Sequence, residues 1–242
     1  EGHNVPNTKF KLSYNPDMSD HIGEYTTGAD GTVQVDELMG TKTVYYQEVG
    51  VPNNLVIDKT ISSIAIVPNE VVSVKNVNTI QKGKITLKKE DTDTGNKPQG
   101  EATLSGAVYG IFTKKDIVDP ISGSVLIKKD TKIAERTTAA DGSMDAIENL
   151  YLGEYYIKEI SAPSGYLLDS TEYDAILLYA GDTIELVLKD VLAKDTVING
   201  DFQITKVAEI DPDNSEINDP EPGAEFTAIL KKYVDQYGSI EE

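Results

Sequence analysis

The chain has 242 residues, 39% of them hydrophobic, enough to bury one or two cores of ordinary domain size. Its 41 acidic and 22 basic side chains leave a formal net charge of -19, which repels phosphate backbones and anionic bilayers and excludes nucleic acid as a partner class. There is no cysteine, which rules out disulfides, thiolate catalysis and zinc-thiolate sites, and no run of 18 or more apolar residues that would cross a membrane as a helix.

From the N-terminus onward, short segments rich in Val, Ile, Thr and Tyr alternate between apolar and polar positions. They are separated by turn signals such as Asp30-Gly31, Asp141-Gly142, Gly181-Asp182 and Gly200-Asp201. The pattern predicts an all-β chain built of Ig-like β-sandwiches. Predicted strands include Ile85–Lys89, Ile184–Leu188 and Phe202–Lys206; helical spacing is weak except around Ile229 to Tyr237.

An internal repeat organises these strands. Thr26-Thr27-Gly28-Ala29-Asp30-Gly31 recurs as Thr137-Thr138-Ala139-Ala140-Asp141-Gly142, an offset of 111 residues (137 minus 26). The same offset relates Glu48 to Glu159, Pro52 to Pro163 and Asp58 to Asp169. A third copy begins near Gly200, because Lys206 precedes Phe226 by the spacing that separates Lys89 from Tyr109. The expected division is 1–80 for a repeat lacking its first, lysine-bearing strand, 83–195 for a complete repeat, and 198–242 for the N-terminal part of a third. Short connections predict repeats stacked end to end, as in a piece cut from a longer array.

Strand phase picks out polar residues on the apolar face. Lys89 is in phase with Ile85 and Leu87, Glu159 with Tyr155 and Ile157, and Asp190 with Ile184, Leu186 and Leu188. In the first repeat Glu48 follows Val44 and Tyr46, and Asn76 follows Val72 and Val74; in the third, Lys206 follows Phe202 and Ile204. A buried lone charge costs several kcal/mol, so inward groups of this kind are expected to pair, neutralise or react. The ordinary alternative for any one of them is a strand-end residue reaching solvent.

The blocks Lys89-Glu90-Asp91, Gly106-Ala107-Val108-Tyr109 and Gly153-Glu154-Tyr155-Tyr156-Ile157-Lys158-Glu159-Ile160-Ser161-Ala162-Pro163-Ser164-Gly165-Tyr166 resemble the CnaB-type, or SpaA-like prealbumin-like, domain of Gram-positive surface adhesins and pilins. The resemblance spans the middle repeat and parts of both neighbours. It implies tandem prealbumin-like sandwiches and a spontaneous intramolecular isopeptide bond between a lysine of the first strand and an Asn or Asp of the last, assisted by a buried Glu or Asp. Carried over by position, the lysine is Lys89, the helper Glu159 and the acceptor Asp190, with Asp182 and Asp195 as poorer acceptor candidates because they flank the expected last strand. Glu48 is the helper's counterpart in the first repeat, whose acceptor candidate is Asn76, and Lys206 is the lysine candidate of the third.

The implied function is structural: stalk modules of an extracellular, cell-wall-anchored adhesin or pilin-like protein, with neighbouring domains of the same polypeptide as partners. No enzyme activity beyond a single-turnover crosslink is implied, and no cofactor or metal. The alternative is an adhesin module that binds host protein or glycan, with the insertion Lys114 to Lys132 as the place to look. A hydrolase using Glu and Asp pairs is disfavoured because a lysine shares their phase. A head-to-tail arrangement, in which the Lys206 strand of one chain fills the groove beside Asn76 of another, is a further expectation. Asp91-Thr92-Asp93-Thr94-Gly95 and Asp211-Pro212-Asp213-Asn214-Ser215-Glu216 read as acidic turns rather than calcium loops, since neither carries the full pattern. His3 and His21 have no partner constellation.

Overall fold

The computed structural model describes residues 3–40, 42–205 and 225–226. Among these there are fifteen β-strands and no helix. The chain divides into two compact units, Glu1–Ile198 and Asn199–Glu242.

Within the first unit, the N-terminal part contains β1 (Lys9–Ser13), β2 (His21–Thr26), β3 (Thr43–Gly50), β4 (Leu55–Val56), β5 (Ser62–Ala65) and β6 (Thr79–Ile80). The central part follows with β7 (Lys82–Asp91), β8 (Val108–Thr113), β9 (Ile117–Val118), β10 (Val125–Ile127), β11 (Lys132–Thr137), β12 (Ile147–Tyr151), β13 (Gly153–Ser161), β14 (Glu172–Leu177) and β15 (Leu186–Asp195).

The central part is a sandwich. One sheet has the order β11-β8-β13-β14 and the other β12-β7-β15, with β7 in its middle. Strict alternation in β7 gives a burial pattern in which every second residue from Gly83 to Asp91 is inward. Ile85 and Leu87 therefore meet Tyr109 and Ile111 of β8, Tyr155 and Ile157 of β13, and Ala175 and Leu177 of β14 in a single core. The paired tyrosines divide as their strand phase requires: Tyr155 is fully buried, while Tyr156 stacks on Phe112 on the outer side at 5.2 Å between ring centroids.

The repeat is visible in the topology. In the N-terminal part the order β2-β1-β3-β5 reproduces β11-β8-β13-β14. No strand corresponding to β7 lies among the described residues of that part. Residues 71–78, where a last strand was expected, accordingly have no ladder to join and are irregular. Residues 201–205 are likewise without strand pairing, with Phe202 71% exposed, so the predicted strand Phe202–Lys206 does not form there. Lys206, most of the third repeat and the helix candidate around 229–237 lie outside the described residues.

The two parts of this unit meet through backbone pairing. β4 and β6 form a two-stranded ladder, and the Ile57 amide donates to the Asp182 carbonyl at 2.8 Å. Gln81, fully buried between β6 and β7, donates to the carbonyls of Gly181 (3.0 Å) and Ile184 and accepts from the Ala180 amide at 3.2 Å. The insertion between β8 and β11 is a small hairpin, β9 with β10, whose lysines Lys114, Lys115 and Lys128 pair with Asp174, Glu154 and Asp116.

Candidate crosslinking site

Three strands bring one amine and two carboxyl groups into the core. Lys89, next to last of the inward residues of β7, is fully buried. β15 runs parallel to β7 with Lys89 opposite Ala193 and Asp91 opposite Asp195. Residues paired in this register share a face, so Asp195 is a diagonal neighbour of Lys89 on the inward side. Lys89 Nζ lies directly against Asp195 Oδ2. From the facing sheet, Glu159 of β13 places Oε1 at 3.6 Å from the same nitrogen.

Glu159 is fixed from behind. Its Oε2 accepts the Asp169 amide at 2.8 Å, and Asp169 is itself held by the Tyr173 hydroxyl (2.6 Å) and the Thr171 amide. Asp195 is anchored through its backbone, whose carbonyl accepts the Thr92 amide and the Thr92 hydroxyl, each at 2.9 Å. The lysine strand is held by the Asp141-Gly142 turn: the Lys89 amide donates to the Gly142 carbonyl at 2.8 Å. Gly142 has φ +80°, and a Cβ there would collide with the Lys89 carbonyl oxygen.

The site is dry. The side chains of Lys89, Glu159 and Asp195 have essentially no solvent exposure. Among the described residues Lys89 Nζ, Glu159 Oε1 and both carboxylate oxygens of Asp195 make no hydrogen bond, leaving only their ion-pair contacts with one another. Burial pushes the Lys89 ammonium down from its ordinary range, against the pull of Glu159, Asp169 and Asp91. Burial also pushes the Glu159 carboxyl up, against the Asp169 amide and the lysine. In both groups burial works toward the uncharged form.

Lys89 and Glu159 are brought together here; Asp190 is not. Asp190 is exposed, sits opposite Thr86 and accepts a hydrogen bond from its hydroxyl. The expected phase of the last strand is inverted: Leu186 (45% exposed) and Leu188 (64%) face outward, while Val191, Ala193 and Asp195 are buried. The reason is that β15 carries apolar residues on both faces, and the cover from the opposite sheet decides which face is core. The strand also runs to Asp195, which is its last residue and not a flanking one. Asp182 contributes only its backbone carbonyl, at the contact with Ile57.

The N-terminal part holds a related arrangement. Glu48 is 2% exposed and accepts the Asp58 amide at 2.7 Å, as Glu159 accepts Asp169. The side chain facing it is Asn78, whose Nδ2 donates to Glu48 Oε1 (3.0 Å), Glu48 Oε2 (2.8 Å) and the Val56 carbonyl (3.1 Å). Asn76, the residue expected there, is partly exposed, and the carboxamide meeting Glu48 lies two residues later on the same phase. Burial raises the Glu48 carboxyl, offset by the Asp58 and Asn78 hydrogen bonds.

The remaining candidates take lesser roles. Asp91, of the acidic turn, gives its carboxylate to protein donors: Tyr166 Oη at 2.7 Å, the amides of Asp93 and Thr94, and Gln99 Nε2. The second acidic turn, 211–216, lies outside the described residues. His3 stands 3.9 Å from Asp119, and His21 begins β2 as an exposed residue. Sequence reasoning ranked Asp195 below Asp190 although the alternation Val191, Ala193, Asp195 marks it, and it missed Asn78, which shares the phase of Asn76.

Residues 83–191 match the family described as SpaA, prealbumin-like fold domain. No curated protein matches the chain. Among solved structures, the Bacillus anthracis TIE protein is similar over 81% of this chain at 18% identity, with a TM-score of 0.61. This chain spans 32% of that protein's length. GBS52, the minor pilin of Streptococcus agalactiae, aligns over 85% of this chain and 89% of its own at 16% identity and a TM-score of 0.35. The shaft pilin SpaA of Lactobacillus rhamnosus GG aligns over 82% of this chain and 87% of its own at 13% identity, also with a TM-score of 0.35.

Proposed function

We propose that this chain, whose residues 83–191 match the SpaA prealbumin-like fold domain, is a structural segment of a Gram-positive surface adhesin or pilin-like protein, stapled by a Lys89 to Asp195 isopeptide bond. The observation that carries the reading is the dry cluster of Lys89, Glu159 and Asp195 joining the first and last strands of one sandwich.

The step balances as a condensation. Nζ of neutral Lys89 attacks Cγ of Asp195. Protonated Glu159, on the amine's other side, gives its proton to the departing Asp195 oxygen, which takes its second proton from the nitrogen, so that one amide forms, one water leaves and Glu159 ends as the carboxylate. Fixed proximity replaces an encounter between groups, and the three side chains are closed off from bulk solvent. One turnover ends the reaction.

The consequence is mechanical. β7 and β15 lie side by side and parallel, so a covalent link at their C-terminal ends carries tension from one to the other without opening the ladder. The second, host-binding reading gains nothing from the β9–β10 hairpin, whose lysines Lys114, Lys115 and Lys128 are tied to the domain's own acids. Location outside the cell, attachment to the wall and association with neighbouring domains follow from the same family reading.

Intact-mass measurement with peptide mapping tests the proposal. A deficit of one water, mapped to linked peptides containing Lys89 and Asp195 and absent in Glu159→Ala, is the expected result. A full-length mass equal to the sequence mass would refute the staple. A deficit mapped to Asp190 would refute the acceptor assignment.

A further inference from the structure

The cluster has a fourth wall that the condensation does not use. Tyr166 is 3% exposed and presents its ring to Lys89 Nζ, 4.8 Å from the ring centroid. Its hydroxyl donates to Asp91 Oδ2 at 2.7 Å, and Asp91 lies two residues beyond Lys89 on the same inward face of β7. Asp91 in turn is held by the amides of Asp93 (2.9 Å) and Thr94 (3.0 Å) and by Gln99 Nε2 at 3.0 Å. The backbone around the ring is pinned to the segment just past Asp195: the Leu167 amide donates to Thr196, and the Ile198 amide to Gly165. The ring is thus tethered to the nucleophile's strand at one end and to the acceptor's strand at the other.

We propose that Tyr166, tethered by Asp91, is a positioning residue for the crosslink: its ring aims the flexible lysine amine at Asp195 and excludes water from the reacting atoms. The inference rests on the isopeptide reading. Lysine has four rotatable methylenes, and Asp195 and Glu159 bound its amine on two sides only; the ring face supplies a third. The nitrogen becomes positive as it adds to the carboxyl carbon, and an aromatic face stabilises that charge. The hydroxyl is what distinguishes Tyr from other rings here, because it binds the wall to Asp91 and keeps a phenol proton away from Asp195. At the 111-residue offset the N-terminal part carries Leu55, which has neither ring nor tether.

The test is a time course of water loss. Full-length chains made by cell-free synthesis are quenched in acidic denaturant at intervals, and the converted fraction is read by mass. Wild type, Tyr166→Phe and Tyr166→Leu are compared. Tyr166→Leu is expected to slow conversion by about tenfold or more, the worth of one desolvated aromatic contact. Tyr166→Phe keeps the ring and recovers most of that loss.

The rate is also followed against pH. The groups facing the amine are Glu159 from β13, Asp195 from β15, Asp91 from β7 itself, and Asp169 behind Glu159; Tyr109 of β8 lines the same pocket near Glu159. Opening the ring wall rehydrates the ammonium, so the Tyr166→Leu profile moves to higher pH, a shift that a purely structural role would not produce. Thermal unfolding of Tyr166→Leu in a Glu159→Gln background reports the effect on the fold alone. Conversion of Tyr166→Leu at the wild-type rate and with an unshifted profile overturns the clasp while leaving the staple standing. Absence of water loss in wild type overturns both.

Discussion

Replacing Asp195 by Ala separates the two carboxylates of β15 that compete for the acceptor's place. The bond proposed between Lys89 and Asp195 would close a loop of 106 residues (195 minus 89), and on a loop-closure account, by analogy with disulfides, it would contribute about 4.7 kcal/mol. Asp195→Ala removes this and leaves Lys89 buried with Glu159 as its remaining close partner at 3.6 Å, a defect that costs up to about 3–5 kcal/mol where the lysine stays charged. Burial works toward the free amine, which reduces this second cost and leaves the loop term the larger of the two. For a domain of this size the loss corresponds to a fall of roughly 20 °C in Tm. Asp190→Ala removes an exposed side chain bonded only to Thr86 and is expected to change stability by no more than about 0.5 kcal/mol. Differential scanning calorimetry with intact mass on each variant checks both numbers, Asp195→Ala showing the uncondensed mass and Asp190→Ala the deficit of one water. Asp195→Asn is a third arm: it still forms the amide but releases ammonia, and the smaller deficit identifies the acceptor atom by atom. A Tm collapse and a full sequence mass in Asp190→Ala, with Asp195→Ala unaffected, would refute the register on which this reasoning depends.

Gly142→Ala drives a Cβ into the Lys89 carbonyl at a residue with φ +80°, and is expected to cost about 1–3 kcal/mol and to slow crosslinking by displacing β7; calorimetry and the mass time course measure both. Gln81→Ala strands the carbonyls of Gly181 and Ile184 and the Ala180 amide, and is expected to cost about 3 kcal/mol in urea unfolding. Asp91 gives a pH signature. Burial alone would raise its carboxyl, but hydrogen bonds from Tyr166, Thr94, Asp93 and Gln99 overcome that and hold it far below the ordinary value. A depressed carboxyl contributes stability that is present above the unfolded-state value of about 4 and is lost as pH falls through the folded one. The stability difference between wild type and Asp91→Asn is therefore expected to be flat above about pH 5 and to shrink below about pH 4, as followed by urea titrations across that range. A difference independent of pH would show that the carboxylate charge contributes nothing.

Much of the fold was legible because its information is local. Alternation over Gly83 to Asp91 defines one buried face whatever lies opposite, and Lys89 falls on it without ambiguity. Glu159 was legible for the same reason, being in phase with the two bulky residues Tyr155 and Ile157. The 111-residue offset even marked Asp58 and Asp169, whose amides prove to hold the two glutamates.

The carboxylate that meets the lysine was not legible in the same way. In β15 Leu186 and Leu188 occupy one phase and Val191 and Ala193 the other, so alternation supports two opposite faces equally well. The choice is made by parallel pairing with β7, which sets Ala193 beside Lys89 and turns Asp195 inward while Asp190 points to solvent. The Asn76 to Asn78 correction has a similar source, since only the position of Glu48 across the groove selects between two carboxamides of the same phase. Sequence by itself determined the repeat, the β architecture, the buried lysine and its glutamate, all properties of single strands. Which carboxylate meets the lysine, and that Tyr166 closes over it, was decided by pairing between strands distant in the chain, because a strand's own pattern records which residues share a face but not which face another sheet will cover.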